Sequence, residues 1–175
     1  MTLSYDHGYP PREVGEADTR VFGKHEGVVR VNLDPLMGGR VQVEVPSVLG
    51  SNRVWARPCV PYADARLGLF LMPPVGGRVW VEFAAGDTDQ PIWSGAWWAD
   101  GDVPSRDPTE LVLATPAGTL RFNSKAPRAD IRLDLPDGTH IAITGKSIVI
   151  DTGATGRVEV TAASTSVNRG ALEVR

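Results

Sequence analysis

The feature that most constrains this chain is a set of short runs in which apolar and polar residues alternate strictly, each closed by glycine or proline. Val29, Val31 and Leu33 alternate with Arg30 and Asn32, and Val41, Val43 and Val45 with Arg40, Gln42 and Glu44. The same pattern returns at Val79, Val81 and Phe83 and again at Ile131, Leu133 and Leu135. A period of two places every second side chain on one face of an extended strand. With Gly 19 and Pro 14 in 175 residues, the chain is rich in turn formers and poor in room for long helices. An all-β fold is expected.

Residues 1–20 carry Gly8, Pro10, Pro11 and Gly15 among charges without an apolar period, and read as an N-terminal arm, mobile or draped on a partner. Residues 21–98 read as a barrel. The alternating runs ending at Leu33 and beginning at Arg40 make a hairpin with one buried face, turned at Asp34-Pro35-Leu36-Met37-Gly38-Gly39. Further strands are expected at 54–60, 78–83 and 91–97, with Gly68 and Pro73-Pro74-Val75-Gly76-Gly77 re-aiming the chain between them. Five strands with glycine corners suit a Greek-key barrel of the OB type. Residues 99–109, with Asp100-Gly101-Asp102 and two prolines, read as a linker.

Residues 110–175 read as a β-meander of about eight short strands, with turns at Pro136-Asp137-Gly138, Gly145-Lys146 and Thr152-Gly153-Ala154. Its apolar positions, Ile131, Leu133, Leu135, Ile141, Ile143, Ile148, Ile150, Val158 and Val160, lie on one side of a narrow sheet that has nothing to pack against. Three copies around a common axis would bury that side in a shared core with the charged side outward. At about 4.7 Å per strand, the stack would be a needle roughly 30–40 Å long, a trimeric β-helix or β-prism. The last strand, with Ala171, Leu172, Glu173, Val174 and Arg175, would form a blunt end with open edges and apolar surface, a docking site for a tip protein.

The remaining residues argue against chemistry. Net charge is −3 with Lys and Arg scattered singly, so no footprint for nucleic acid or an anionic membrane is visible. Cys59 is the single cysteine and, with His7, His25 and His140 dispersed, gives no metal-ligand spacing; a buried structural thiol is expected, and no cofactor. Asp87, Asp89, Asp100 and Asp102 fit turn chemistry better than a calcium loop or a hydrolytic pair. No nucleophile motif accompanies the histidines. Trp55, Trp80, Trp93, Trp97 and Trp98 could form a stacking platform for single-stranded nucleic acid, but without a basic groove they read as barrel packing or subunit contacts. The start, Met1-Thr2-Leu3-Ser4-Tyr5, lacks a secretory pattern, and the apolar run at 67–75 is too broken to span a bilayer, so synthesis as a soluble cytoplasmic chain is expected.

The segments Gly23-Lys24 through Gly27-Val28-Val29 with Asp34-Pro35, Gly39-Arg40-Val41-Gln42-Val43, Trp55-Ala56-Arg57-Pro58, Pro73-Pro74-Val75-Gly76, Trp80-Val81-Glu82-Phe83 and Gly86-Asp87 to Gly95 together resemble the barrel of the phage baseplate assembly protein V family. That family includes the spikes of contractile injection systems and of type VI secretion. Thr115-Pro116-Ala117-Gly118 and Leu135-Pro136-Asp137-Gly138-Thr139 look like its spike repeats, and the segment from Val167 to Val174 like its closing piece. The resemblance implies a non-enzymatic homotrimeric central spike. It would join an inner tube or hub protein above, sit among baseplate components, carry a PAAR-type tip protein below, and meet a target membrane only by mechanical piercing. No lysozyme-like insertion fits between barrel and needle, and no His-x-His pair near the end marks a self-capped metal apex. The short length favours a phage-like or extracellular system over a full-length type VI spike. An OB-fold nucleic-acid-binding module is the alternative, and a cell-wall hydrolase a weaker third reading.

Overall fold

The computed structural model describes residues 19–125 and 130–174, so residues 1–18 of the expected arm and Arg175 of the expected tip lie outside the described residues, as does the Glu173 side chain. The chain divides into two compact units between Trp98 and Ala99.

The first unit is a closed five-stranded barrel. Its strands are β1 (His25–Val31), β2 (Val41–Glu44), β3 (Arg53–Pro58), β6 (Arg78–Phe83) and β7 (Pro91–Ala96), and a two-stranded hairpin of β4 (Ala63–Asp64) and β5 (Leu67–Gly68) interrupts them. The barrel order is β1-β2-β3-β7-β6, closed by β1 against β6, with β3 and β7 parallel and the other pairs antiparallel. Alternation explains the core: Val29, Val41, Val43, Ala56, Val79, Val81, Phe83 and Trp93 take the inward positions of all five strands, joined by Val45 just beyond β2. Closure brings β1 hard against β6. A Cβ on Gly27 would stand 2.8 Å from Val81 Cγ2, so only glycine fits there. At the β6–β7 turn Ala85 and Gly86 both adopt positive φ, and the Gly86 carbonyl accepts the Val21 N–H at 2.9 Å. This fastens the chain entering the barrel.

Two expectations need correction. Cys59 is exposed. Along β3 the even positions Val54, Ala56 and Pro58 turn inward and Cys59 has the opposite parity; its backbone N–H donates to the Trp93 carbonyl while the thiol faces solvent. Leu33 does not share the hairpin's buried face and is 81% exposed, because β1 ends at Val31 and Asn32 Nδ2 donates to the Pro73 carbonyl. Among the described residues a short α-helix, α1 (Pro46–Leu49), also occurs, where proline opens a single turn that sequence alternation does not announce.

The loop after β1 is organised by Asp34. Its carboxylate accepts backbone N–H groups from Leu36, Gly38 and Arg40 at 2.8–3.2 Å, and the Arg40 guanidinium at 2.8 Å. The guanidinium, with the three N–H groups, holds this acid well below the usual carboxylate range against the opposing effect of burial.

The second unit is an eight-stranded antiparallel meander. It comprises β8 (Glu110–Thr115), β9 (Gly118–Asn123), β10 (Asp130–Asp134), β11 (His140–Thr144), β12 (Ser147–Asp151), β13 (Arg157–Thr161), β14 (Thr165–Val167) and β15 (Leu172–Val174). Sheet order follows chain order, so β8 and β15 are its two edges.

Candidate functional site

Directly paired residues on antiparallel strands point to the same face of a sheet. The observed registers therefore build two columns across all eight strands. One runs Leu111, Phe122, Ile131, Ile143, Ile148, Val160, Thr165, Val174. Its neighbour runs Leu113, Leu120, Leu133, Ile141, Ile150, Val158, Val167, Leu172. Every expected core residue of the meander lies in these columns except Leu135, which has the same parity as Leu133 and sits at the turn, where its N–H donates to the Thr139 carbonyl.

This face is bare. Ile131, Leu133, Leu135, Ile141, Ile143, Ile148, Ile150 and Val160 are between 39% and 47% exposed, values that a globular core would bring near zero. The opposite face is the better covered one. Val149 there is only 7% exposed, and ion pairs surround it: Arg157 bridges Asp151 at 2.9 Å and Glu159 at 3.1 Å. The Gly153 N–H and the Arg157 guanidinium lower the Asp151 pKa, so this face stays charged at neutral pH. Arg121 pairs with Glu110, and Arg132 with Asp134 on the same side. A sheet with a wet apolar face and a self-satisfied ionic face is built to lay the first against a partner.

Sequence reasoning missed Leu111, Leu113, Leu120, Phe122 and Val167. In β8 the run Leu111-Val112-Leu113-Ala114 blurs alternation, whereas Leu120 and Phe122 flanking Arg121 carried a legible signal. At the far edge Leu172 and Val174 are 60% and 61% exposed, in one face with the columns. Ala171 precedes that strand, and its N–H approaches the Asn168 carbonyl at 3.5 Å.

The tryptophans do not form a single platform. Trp93 is a core residue whose Nε1 donates to the Gly39 carbonyl at 3.3 Å. Trp55 carries the Arg40 guanidinium 5.2 Å above its ring, and Trp97 lies between Trp80, at 5.9 Å, and Arg78, at 5.3 Å. Trp98 is 65% exposed. Four of the barrel's cations are tied to acids: Lys24 to Glu82, Arg30 and Arg53 to Glu44, Arg40 to Asp34. A second apolar surface, missed from sequence, lies where the 59–77 excursion meets the loop after β1. Met37, Tyr62, Leu67, Phe70 and Trp93 line a cleft of about 390 Å³ there. Asp87 makes the turn expected of it, accepting the Asp89 N–H at 2.9 Å.

Residues 25–98 match the type VI secretion system/phage-baseplate injector OB domain, and residues 110–173 match the phage baseplate V C-terminal trimerisation domain. The chain belongs to the phage baseplate V family of spike-type proteins. The two matches follow the barrel and the meander in order, and both families are structural baseplate domains. The bare columns of this baseplate V protein thus lie within its trimerisation domain, which supports a homotrimer, and the family places the chain in a phage particle or tail-like assembly. No curated protein matches the chain. Among the described residues no group of three or more His, Cys, Asp or Glu side chains could hold a metal, and no helix is long and apolar enough to cross a membrane.

Proposed function

We propose that this baseplate V protein is the homotrimeric central spike of a phage tail-like contractile injection system, and that its action is mechanical. The observation that carries this reading is the pair of apolar columns running from β8 to β15, with no described residue of the meander covering them. Three meanders packed column to column would close a β-prism or β-helix needle with the ionic faces outward, each strand adding about 4.7 Å to its length. Hydrogen bonds across every strand pair and a continuous apolar core would make such a needle stiff. That is what a point driven through an envelope by a contracting sheath requires.

Within this proposal the barrel faces the inner tube or hub protein and other baseplate components, and its exposed Leu36, Met37 and Phe70 are suited to protein partners. The β15 end, with Leu172 and Val174 exposed on an open edge, carries a PAAR-type tip. The spike has no hydrolytic role. Peptidoglycan turnover by purified protein, lost on changing a single carboxylate, would contradict that part. The assembly itself is tested by Leu133→Asp and Ile143→Asp. Each would place three charges in one layer of the shared core, so each should convert a trimer to monomer while the folded barrel persists. A variant that still sediments as the wild-type assembly would overturn the proposal.

A further inference from the structure

The apolar columns present a problem of register. Four consecutive strands offer nearly the same pair of side chains: Ile131 and Leu133 on β10, Ile143 and Ile141 on β11, Ile148 and Ile150 on β12, Val160 and Val158 on β13. One chain displaced along the others by a hairpin, two strand spacings or roughly 9–10 Å, would exchange layers of almost equal size and chemistry. Hydrophobic burial is non-directional and distinguishes such alternatives poorly. Phe122 is the bulky departure, and a ring among Ile and Leu can be accommodated by repacking.

One residue breaks the pattern in kind. Thr165 stands in the first column between Val160 and Val174, paired directly with both, so its side chain shares the apolar face. Thr119, whose hydroxyl likewise has no partner among the described residues, pairs with Asp134 and so lies on the opposite, ionic face, whereas five other threonine hydroxyls of the meander are used locally. Those of Thr115, Thr139, Thr144, Thr152 and Thr161 each donate to a nearby backbone carbonyl at 3.0–3.3 Å. Among the described residues the Thr165 hydroxyl has no partner.

We infer that Thr165 is the residue that sets the axial register of the trimer, through a ring of three hydroxyls closed across the threefold axis. This rests on the trimeric reading above. With the chains level, each hydroxyl donates to the next copy and accepts from the previous one, so a donor and an acceptor that no described group of its own chain satisfies are both met. With one chain displaced by a hairpin, its hydroxyl comes level with Ile148 of β12 or passes beyond the β15 edge, and the ring is broken. A buried hydroxyl without a partner costs more than the hydrogen bond itself contributes. A single polar layer in an otherwise repetitive apolar core is a known means of choosing one register at the expense of some stability.

The experiment uses the full chain with Cys59→Ser and two differently tagged versions, one carrying Ile131→Cys and the other Ile148→Cys, co-expressed and oxidised. These sites lie two strands apart, beyond the roughly 7 Å Cα separation a disulfide spans, unless one chain has slipped by a hairpin. With Thr165 present we expect Ile131→Cys chains to link to one another and no mixed disulfide. In Thr165→Val the trimer should persist, at equal or higher melting temperature, and the mixed disulfide should appear. Thr165→Ser should behave as the parent. A Thr165→Val trimer with no mixed disulfide would overturn the assignment, as would a mixed disulfide already abundant in the parent. A monomeric mass for the parent would instead defeat the trimeric reading beneath it.

Discussion

At the residue scale, the barrel depends on valines that are wholly enclosed and on a glycine that lets two strands touch. Val81 is fully buried and its Cγ2 would lie 2.8 Å from a Cβ placed on Gly27. Val81→Ala removes two methyl groups and leaves a cavity, so a loss of about 2 kcal/mol is expected in denaturant titration of the barrel. Gly27→Ala has the opposite defect, overpacking, and should cost about 1–3 kcal/mol. Combined in one chain, the two changes should cost less than their sum, because the new methyl enters space the valine vacates. Asp34 supplies a pH dependence. Its folded pKa lies below that of an unfolded aspartate, which is about 3.9. The stabilisation is therefore fully present above that value and is lost as pH falls below about 4 towards the folded pKa. Thermal melts of wild type and Asp34→Asn should differ most at neutral pH and converge as the solution is acidified through that window. A gap that stays constant to pH 2.5 would contradict the role given to this carboxylate.

At the scale of the element, each strand divides its side chains between two faces, and what the faces meet differs between the units. Barrel strands bury the apolar set within one chain, whereas the meander leaves it 39–47% exposed at ten positions. Barrel residues 21–98, expressed alone, should therefore remain a folded monomer with a cooperative melt, and meander residues 99–175 should be folded only in an associated state. Removing residues 171–175 tests the β15 edge separately: trimers should persist while retention of a PAAR-type tip in a pull-down is lost. Alternation made most of these strands legible in the sequence, β6 to the residue and the strands β10 to β13 within a residue or two, because each carries a strict period of two bounded by turn formers. The misses have physical reasons. Cys59 lies one position past a strand end, where parity decides exposure and composition does not. Leu33 follows a side-chain hydrogen bond between distant loops that no local pattern encodes. In β8, four apolar residues in succession conceal which two face the column. The β4–β5 hairpin, two residues per strand, is too short to show a period at all.

At the scale of the whole molecule, a chain of 175 residues has enough apolar sequence for two cores and encloses only one of them by itself. The second core is left as a surface, and a surface of this length, flanked by a face whose charges already satisfy one another, is a demand for identical partners. Association is then part of folding for the meander, and its stability becomes a function of chain concentration. In the role proposed above, the bond network across the strands and the apolar columns would together supply stiffness. Mass by multi-angle light scattering on the purified full chain, across a dilution series into the low micromolar range, tests this most directly. A single species at three times 18.8 kDa is expected. A stable, cooperatively folded monomer of 18.8 kDa at those concentrations would contradict it.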